Sequence, residues 1–212
     1  MAYDLYVITD EKIGLSRPHA ELAALALLGG ADCIQLRDKE MSGSDLYRTA
    51  LAIRSLTEDA DALFIMNDRL DIALASGADG IHLGQSDLPV AEARRITHQE
   101  FIIGASVGSV EEAIRAERAG ADYLALSPTF STRSKDDAGD GHGLLILKAI
   151  CSATSLPVIA IGGITRYNVG SVIGAGADGV AVISAIVGER DVRRAAAELK
   201  EEIGSAKRRG IR

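Results

Sequence analysis

The chain repeats one phrase four times: Gly30-Ala31-Asp32, Gly77-Ala78-Asp79, Gly120-Ala121-Asp122 and Gly176-Ala177-Asp178. Each copy follows an alanine-rich helical stretch. Each precedes a short apolar run: Cys33 to Leu36, Gly80 to Leu83, Tyr123 to Leu126 and Gly179 to Ile183. A glycine just past a helix suits the left-handed backbone that ends it. An apolar run bounded in this way reads as a buried parallel strand. Further strands are expected at Leu5 to Thr9, Ala62 to Asn67, Phe101 to Ser106 and Pro157 to Gly162. Strands alternating with helices throughout imply a parallel α/β sheet. With this quarter-repeat, the expected closure is a single-domain (β/α)8 TIM barrel. A doubly wound open sheet is the alternative, but it usually lacks a fourfold repeat. No glycine- or proline-rich linker divides the 212 residues, so one domain is expected over 1–212, its core over 3–203 before a basic tail.

Charge and composition narrow the partners. Lys and Arg number 23 against 30 Asp and Glu, a net charge of −7, which argues against a general nucleic-acid surface. Any anionic substrate must then be met by a few local cations and backbone amides. No apolar run approaches the length of a membrane span, and Met1-Ala2-Tyr3-Asp4 lacks the basic start of a signal peptide. Two cysteines, Cys33 and Cys151, give neither a disulfide framework nor a zinc spacing. The expectation is a reducing, cytoplasmic setting without nucleic-acid or membrane partners.

A barrel carries its chemistry at the C-terminal ends of its strands. Strand two ends Gln35-Leu36-Arg37-Asp38-Lys39. Alternation puts Gln35, Arg37 and Lys39 on the inward face. There the two cations read either as partners of inward carboxylates or as a phosphate clamp, a guanidinium fork beside a point charge. Strand three ends Asn67-Asp68-Arg69, and strand four ends Gly84-Gln85-Ser86-Asp87. Neighbouring strands bring Asp68 and Asp87 together. Each alone reads equally as a helix cap, but as a pair beside two cations they suit Mg²⁺, which takes one or two carboxylates plus phosphate oxygens. Ser106 at the end of strand five reads as a phosphate donor or a cap, and Gly104 and Gly108 around it would admit a ligand to the backbone.

After strand six, Ser127 to Lys135 is rich in hydroxyls and cations. Thr132, Ser134 and Lys135 read as a grip for a second anion, against a solvated loop. The longest irregular stretch, Pro128 to Gly143, reads as a lid. Gly162-Gly163 after strand seven and Ser184 after strand eight stand where barrels commonly bind phosphate. His82 reads as a hydrogen-bonded interior histidine rather than a proton shuttle, and Cys33 and Cys151 as packing residues. No nucleophile triad is visible.

These residues together resemble the thiamine-phosphate synthase (thiamine-phosphate pyrophosphorylase) family, nearly end to end. The resemblance rests on Gln35-Leu36-Arg37-Asp38-Lys39, Asn67-Asp68-Arg69, Gly80-Ile81-His82-Leu83-Gly84-Gln85-Ser86-Asp87 and Ala160-Ile161-Gly162-Gly163-Ile164. It implies joining 4-amino-2-methyl-5-(diphosphooxymethyl)pyrimidine to 4-methyl-5-(2-phosphooxyethyl)thiazole with release of diphosphate. By resemblance, Gln35, Arg37, Lys39, Asn67, Ser106 and Lys135 would hold the pyrimidine diphosphate. Asp68 and Asp87 would hold Mg²⁺. Thr132, Ser134, Gly163, Ile183 and Ser184 would bind the thiazole phosphate. A dissociative mechanism and a homodimer are also implied. The chain departs from the family pattern at Gly108, where histidine is common, at Ser127, where glycine usually precedes proline, and at Ser134, where threonine is usual. The rivals are a thiazole tautomerase on the same fold, which would leave the cations and the Asp pair unexplained, and a non-catalytic phosphate-binding protein.

Overall fold

The repeated aspartates show why the phrase recurs. In the computed structural model, which describes residues 4–132, 134 and 141–210, each carboxylate accepts a backbone N–H near the start of the preceding strand. Asp32 takes Leu5 at 2.8 Å, Asp79 takes Phe64 at 2.8 Å, Asp122 takes Ile103 at 2.7 Å and Asp178 takes Val158 at 2.8 Å. The N–H of each aspartate returns a bond to the carbonyl of the same residue. Each phrase is therefore a two-point clamp between successive strands. Three of the carboxylates also meet a helix cation: Asp32 with Lys200 at 2.5 Å, Asp79 with Arg54 at 2.8 Å, and Asp122 with Arg94. The preceding glycines, Gly30, Gly77, Gly120 and Gly176, all have positive φ, as their place after a helix requires.

The strands are β1 (Leu5–Thr9), β2 (Cys33–Leu36), β3 (Leu63–Asn67), β4 (Gly80–Leu83), β5 (Ile102–Val107), β6 (Tyr123–Leu126), β7 (Val158–Ile161) and β8 (Gly179–Val182). They form a closed barrel in sequence order. Every pairing is parallel, and β1 meets β8 with Leu5 opposite Val180. The expected strands differ from these by a residue or so at their ends, as fraying terminal residues usually do.

The outer helices are α1 (His19–Leu28), α2 (Gly43–Asp59), α3 (Leu70–Ser76), α4 (Val90–Ile96), α5 (Val110–Arg118), α6 (Gly143–Ala153), α7 (Val169–Gly174), α8 (Ser184–Val187) and α9 (Val192–Gly210). Ser42 and Ser109 cap α2 and α5, accepting the N–H of Asp45 and Glu112; such a cap contributes about 1 kcal/mol. On α9 the buried residues are Val192, Ala196, Leu199, Ile203 and Ala206. That spacing makes one apolar stripe, which packs on α1 and α7. Among the described residues no helix is long and apolar enough to cross a membrane.

The strands are almost wholly buried, on both faces, as parallel strands between a core and a helical layer must be. The barrel interior is not uniformly apolar. Tyr6, Gln35, His82 and Tyr123 turn inward and hydrogen-bond one another, which gives most of the polar groups buried there a partner.

Candidate active site

The C-terminal ends of the strands enclose two adjoining cavities, of about 360 and 270 Å³. Ser127 and Pro128, after β6, line both and form the wall between them.

The larger cavity is polar. It brings together Arg37, Lys39, Asn67, Asp68, Asp87 and Ser106, six residues expected from the sequence. Arg37 stands 3.8 Å from Asp10, and Lys39 3.9 Å from Asp68. Both separations are longer than those of a tight ion pair. Asp68 has φ 59°, a left-handed backbone that Asp tolerates better than most residues. It does not cap α3, and Asp87 does not cap α4. Asp87 instead accepts the Gly84 N–H at 2.7 Å. Burial, a hydrogen bond from Asp87 and the charge of Asp87 push the Asp68 carboxyl up to about 6, against the opposing pull of Lys39 and Arg37. This is a carboxylate pair short of positive charge. Among the described residues no three His, Cys, Asp or Glu side chains converge as a metal set. Asp68 and Asp87 are the two carboxylates that line this cavity.

Gln35 lies deeper than the other members of the expected set and does not line this cavity. Its Nε2 donates to Tyr6 Oη at 2.6 Å, while its Oε1 is buried without a partner among the described residues. His82 is the interior histidine expected, bonded to Tyr123 Oη and Ser106 Oγ.

The smaller cavity gathers Thr132, Ser134, Gly163, Ile183 and Ser184, as expected. Ser134 Oγ donates to Ser184 Oγ at 3.0 Å, and Thr132 Oγ1 donates to Ser134 Oγ at 3.3 Å. Lys135 lies outside the described residues, as do 133 and 136–140 of the expected lid. The base of that loop is closed: the N–H groups of His142 and Gly143 donate to Pro128 and Thr129. Gly162 and Gly163 have positive φ, and a Cβ on them would lie 2.6 Å from Pro128 and 2.8 Å from Phe130. The glycine pair thus admits the β6 loop across the end of β7.

Several contributors were given no role from the sequence. Tyr6 and Tyr123 sit in apolar runs and read as core. Gln85 lines the larger cavity and donates to the Ser106 carbonyl. His19, 1% exposed, bridges Thr9 Oγ1 and Asp38 Oδ2 at 2.7 and 3.2 Å. Burial pushes the Asp38 carboxyl up. Bonds from the Glu40 and Met41 amides and from His19 outweigh it and hold the group below its usual range. His19 therefore steadies the loop that carries Arg37 and Lys39. Gly104 does not open the backbone to a ligand. A Cβ there would lie 2.0 Å from Cζ of Tyr123. The space beside Gly108 is filled by the ring of His142, whose Cε1 would lie 2.9 Å from a Cβ at that position.

Known proteins match this arrangement along the whole chain. A thiamine-phosphate synthase of Methanoculleus marisnigri is 65% identical over 210 residues, covering 99% of this chain and 100% of that one. Another, from Methanoregula boonei, is 58% identical over 98% of this chain and 96% of its own. The solved thiamine phosphate pyrophosphorylase of Pyrococcus furiosus superposes with a TM-score of 0.90 at 44% identity, covering 96% of each chain. Residues 5–186 match the thiamine monophosphate synthase family. With this identity along nearly the whole chain, the chain belongs to that family of transferases, which make thiamine phosphate.

Proposed function

We propose that the two cavities divide the two substrates of the coupling reaction, with bond formation at the Ser127–Pro128 wall. The observation that carries this reading is the adjacency of one charged cavity and one hydroxyl-lined cavity. The charged cavity takes the pyrimidine diphosphate, and the hydroxyl-lined one takes the thiazole phosphate.

Arg37, Lys39 and Asn67 bind the diphosphate, and Lys135 is assigned to it by resemblance. Ser106 stands at the same cavity. Gln35 contributes differently from the cations. Its unpaired Oε1 is an acceptor, and phosphate oxygens at neutral pH are acceptors too. Gln35 therefore makes no contact with the diphosphate and supports the site from below, through its bond to Tyr6. In the other cavity Thr132, Ser134 and Ser184 donate hydroxyls to the thiazole phosphate, and the backbone about Gly163 and Ile183 completes its cradle.

Asp68 and Asp87 fit a Mg²⁺ ion, since they are adjoining oxygen donors short of positive charge. When bound, that ion supplies positive charge to the diphosphate oxygens. The chain's own groups act as follows. Arg37 and Lys39 stabilise the charge that grows on the diphosphate as its C–O bond to the pyrimidine methylene breaks. The methylene becomes a resonance-stabilised cation, and the thiazole nitrogen closes the new C–N bond. No protein nucleophile is needed. Holding both rings at one wall removes most of the entropic cost of their meeting.

The two free cysteines support a reducing, cytoplasmic setting. A homodimer is proposed from the resemblance alone. The test is a coupling assay with both substrates, run with Mg²⁺ and with chelator. Diphosphate release in step with thiamine phosphate, lost in chelator, is expected. Coupling that persists without divalent metal would remove the ion from the reading. Tautomerisation of a thiazole in place of coupling would replace the reading altogether.

A further inference from the structure

Five side chains from five strands form one hydrogen-bonded relay through the barrel. Gln35 Nε2 donates to Tyr6 Oη at 2.6 Å. Tyr6 Oη lies 3.0 Å from Tyr123 Oη, which lies 3.0 Å from His82 Nδ1. His82 Nε2 lies 2.9 Å from Ser106 Oγ. The His82 ring also stacks on that of Tyr123, with centroids 5.6 Å apart and 28° between planes. The coupling chemistry needs no proton carried along this path, which leaves the relay unexplained by the reaction.

The proton count gives it a direction. A phenol has one proton and accepts through its oxygen. In the direction that the Gln35 amide favours, the Tyr6 proton goes to Tyr123 Oη and the Tyr123 proton to His82 Nδ1. Burial, with Tyr123 and Cys33 nearby, holds the Tyr6 phenol well above its usual range, so Tyr6 keeps that proton. An imidazole that accepts at Nδ1 carries its proton at Nε2 and donates it to Ser106 Oγ. The Ser106 proton is then left to point into the charged cavity that Ser106 lines.

We propose that His82 is a positioning residue, whose tautomer is set through Tyr123, Tyr6 and Gln35 and which holds the Ser106 hydroxyl as a hydrogen-bond donor toward the heteroaromatic diphosphate. Its substrate half rests on the assignment of the charged cavity made above. The relay explains why buried polar groups sit in the barrel interior, where apolar side chains would pack at less desolvation cost. It also explains the open space at Gly104, which the Tyr123 ring needs.

The test uses the whole protein labelled with ¹⁵N-histidine. The His82 signals, identified by their loss in His82→Gln, are expected to show an unprotonated Nδ1 and a protonated Nε2. Tyr123→Phe, which cannot donate to Nδ1, is expected to lose that preference. It should also raise the KM for the pyrimidine diphosphate about tenfold, the loss of one hydrogen bond, with the thiazole KM unchanged. Gln carries an amide N–H where imidazole has Nε2, and Asn carries one where it has Nδ1. His82→Gln is therefore expected to hold the pyrimidine KM near that of the parent, and His82→Asn to raise it about tenfold. A proton on Nδ1 in the parent protein, or equal losses in the Gln and Asn variants, would overturn the relay. The expected tautomer with an unchanged pyrimidine KM in Ser106→Ala would overturn the placement of substrate at Ser106 instead.

Discussion

The ring of Tyr123 fills the space that a side chain at Gly104 would take, with Cζ 2.0 Å and the hydroxyl 2.3 Å from where a Cβ would stand. Both residues lie on paired strands in a closed barrel, so neither backbone can retreat. Gly104→Ala is expected to destabilise the fold by about 1–3 kcal/mol through overpacking. Gly174→Ala, where nothing lies within 4 Å of the new Cβ, is expected to be neutral or slightly stabilising. Urea denaturation of the two variants checks the contrast. Equal midpoints would mean that the ring moves aside freely.

Asp68→Asn keeps a residue that tolerates the left-handed backbone. Asp87→Asn keeps an oxygen to accept the Gly84 N–H. Both variants are therefore expected to fold. Each should lower coupling by about a hundredfold, two powers of ten or 2.7 kcal/mol of transition-state stabilisation. Diphosphate release measured against Mg²⁺ concentration tests this. Full activity at limiting Mg²⁺ would take the metal away from this pair.

The raised Asp68 carboxyl sets a pH dependence whose sign differs from that of an ordinary ion-paired acid. Its value moves from the usual 3.8 to about 6. Between these values the folded metal-free protein holds a proton that the unfolded chain has lost. The contribution to stability is thus full below 3.8 and is lost as pH rises through about 6. In chelator, Tm is expected to fall across this window, and Asp68→Asn should flatten the fall. A metal that binds the ionised pair would restore Tm above the window. A metal-free Tm that rises through the window in the parent, with no change in the variant, would contradict the assignment.

Ser184→Ala removes a hydroxyl from the smaller cavity and from its bond with Ser134. Loss of one donor to a charged phosphate is expected to raise the thiazole KM about tenfold. The pyrimidine KM should stay as it is. Steady-state kinetics with each substrate varied in turn will show whether the effect is confined to one side of the Ser127–Pro128 wall. Equal rises in both constants would place Ser184 elsewhere.

The clamps at the opposite end of the barrel should affect stability without altering chemistry. Asp122→Ala leaves the Ile103 N–H and the Arg94 guanidinium without their carboxylate. A cost of about 1–3 kcal/mol is expected, mostly from the unpaired buried N–H, since the partly exposed ion pair adds little. The kcat of the folded variant should be close to that of the parent. Calorimetry beside a coupling assay at low temperature separates the two effects.

How much of this was legible beforehand follows from what each feature depends on. The recurring Gly-Ala-Asp phrase is local chemistry. A helix must end, a left-handed residue ends it, and a carboxylate two residues on reaches the neighbouring strand start. That is enough to read the alternation of strands and helices, and hence the barrel. Once the barrel is read, Arg37, Asn67, Asp68, Asp87, Ser106, Gly163 and Ser184 gather at one end of it because each stands at or just past the C-terminal end of a strand. The tertiary structure alone decided the rest. Tyr6 and Tyr123 meet across 117 residues of chain, and no period or motif marks a contact made through a barrel interior. Gln35 shares a strand face with Arg37, yet the depth of the barrel sends one to a buried phenol and the other to the charged cavity. The open space at Gly104 belongs to a ring on the next strand. Local sequence determined which backbone groups pair with their neighbours. Only closure of the sheet, which brings distant inward faces into one dry space, decided which polar side chains would have to satisfy one another.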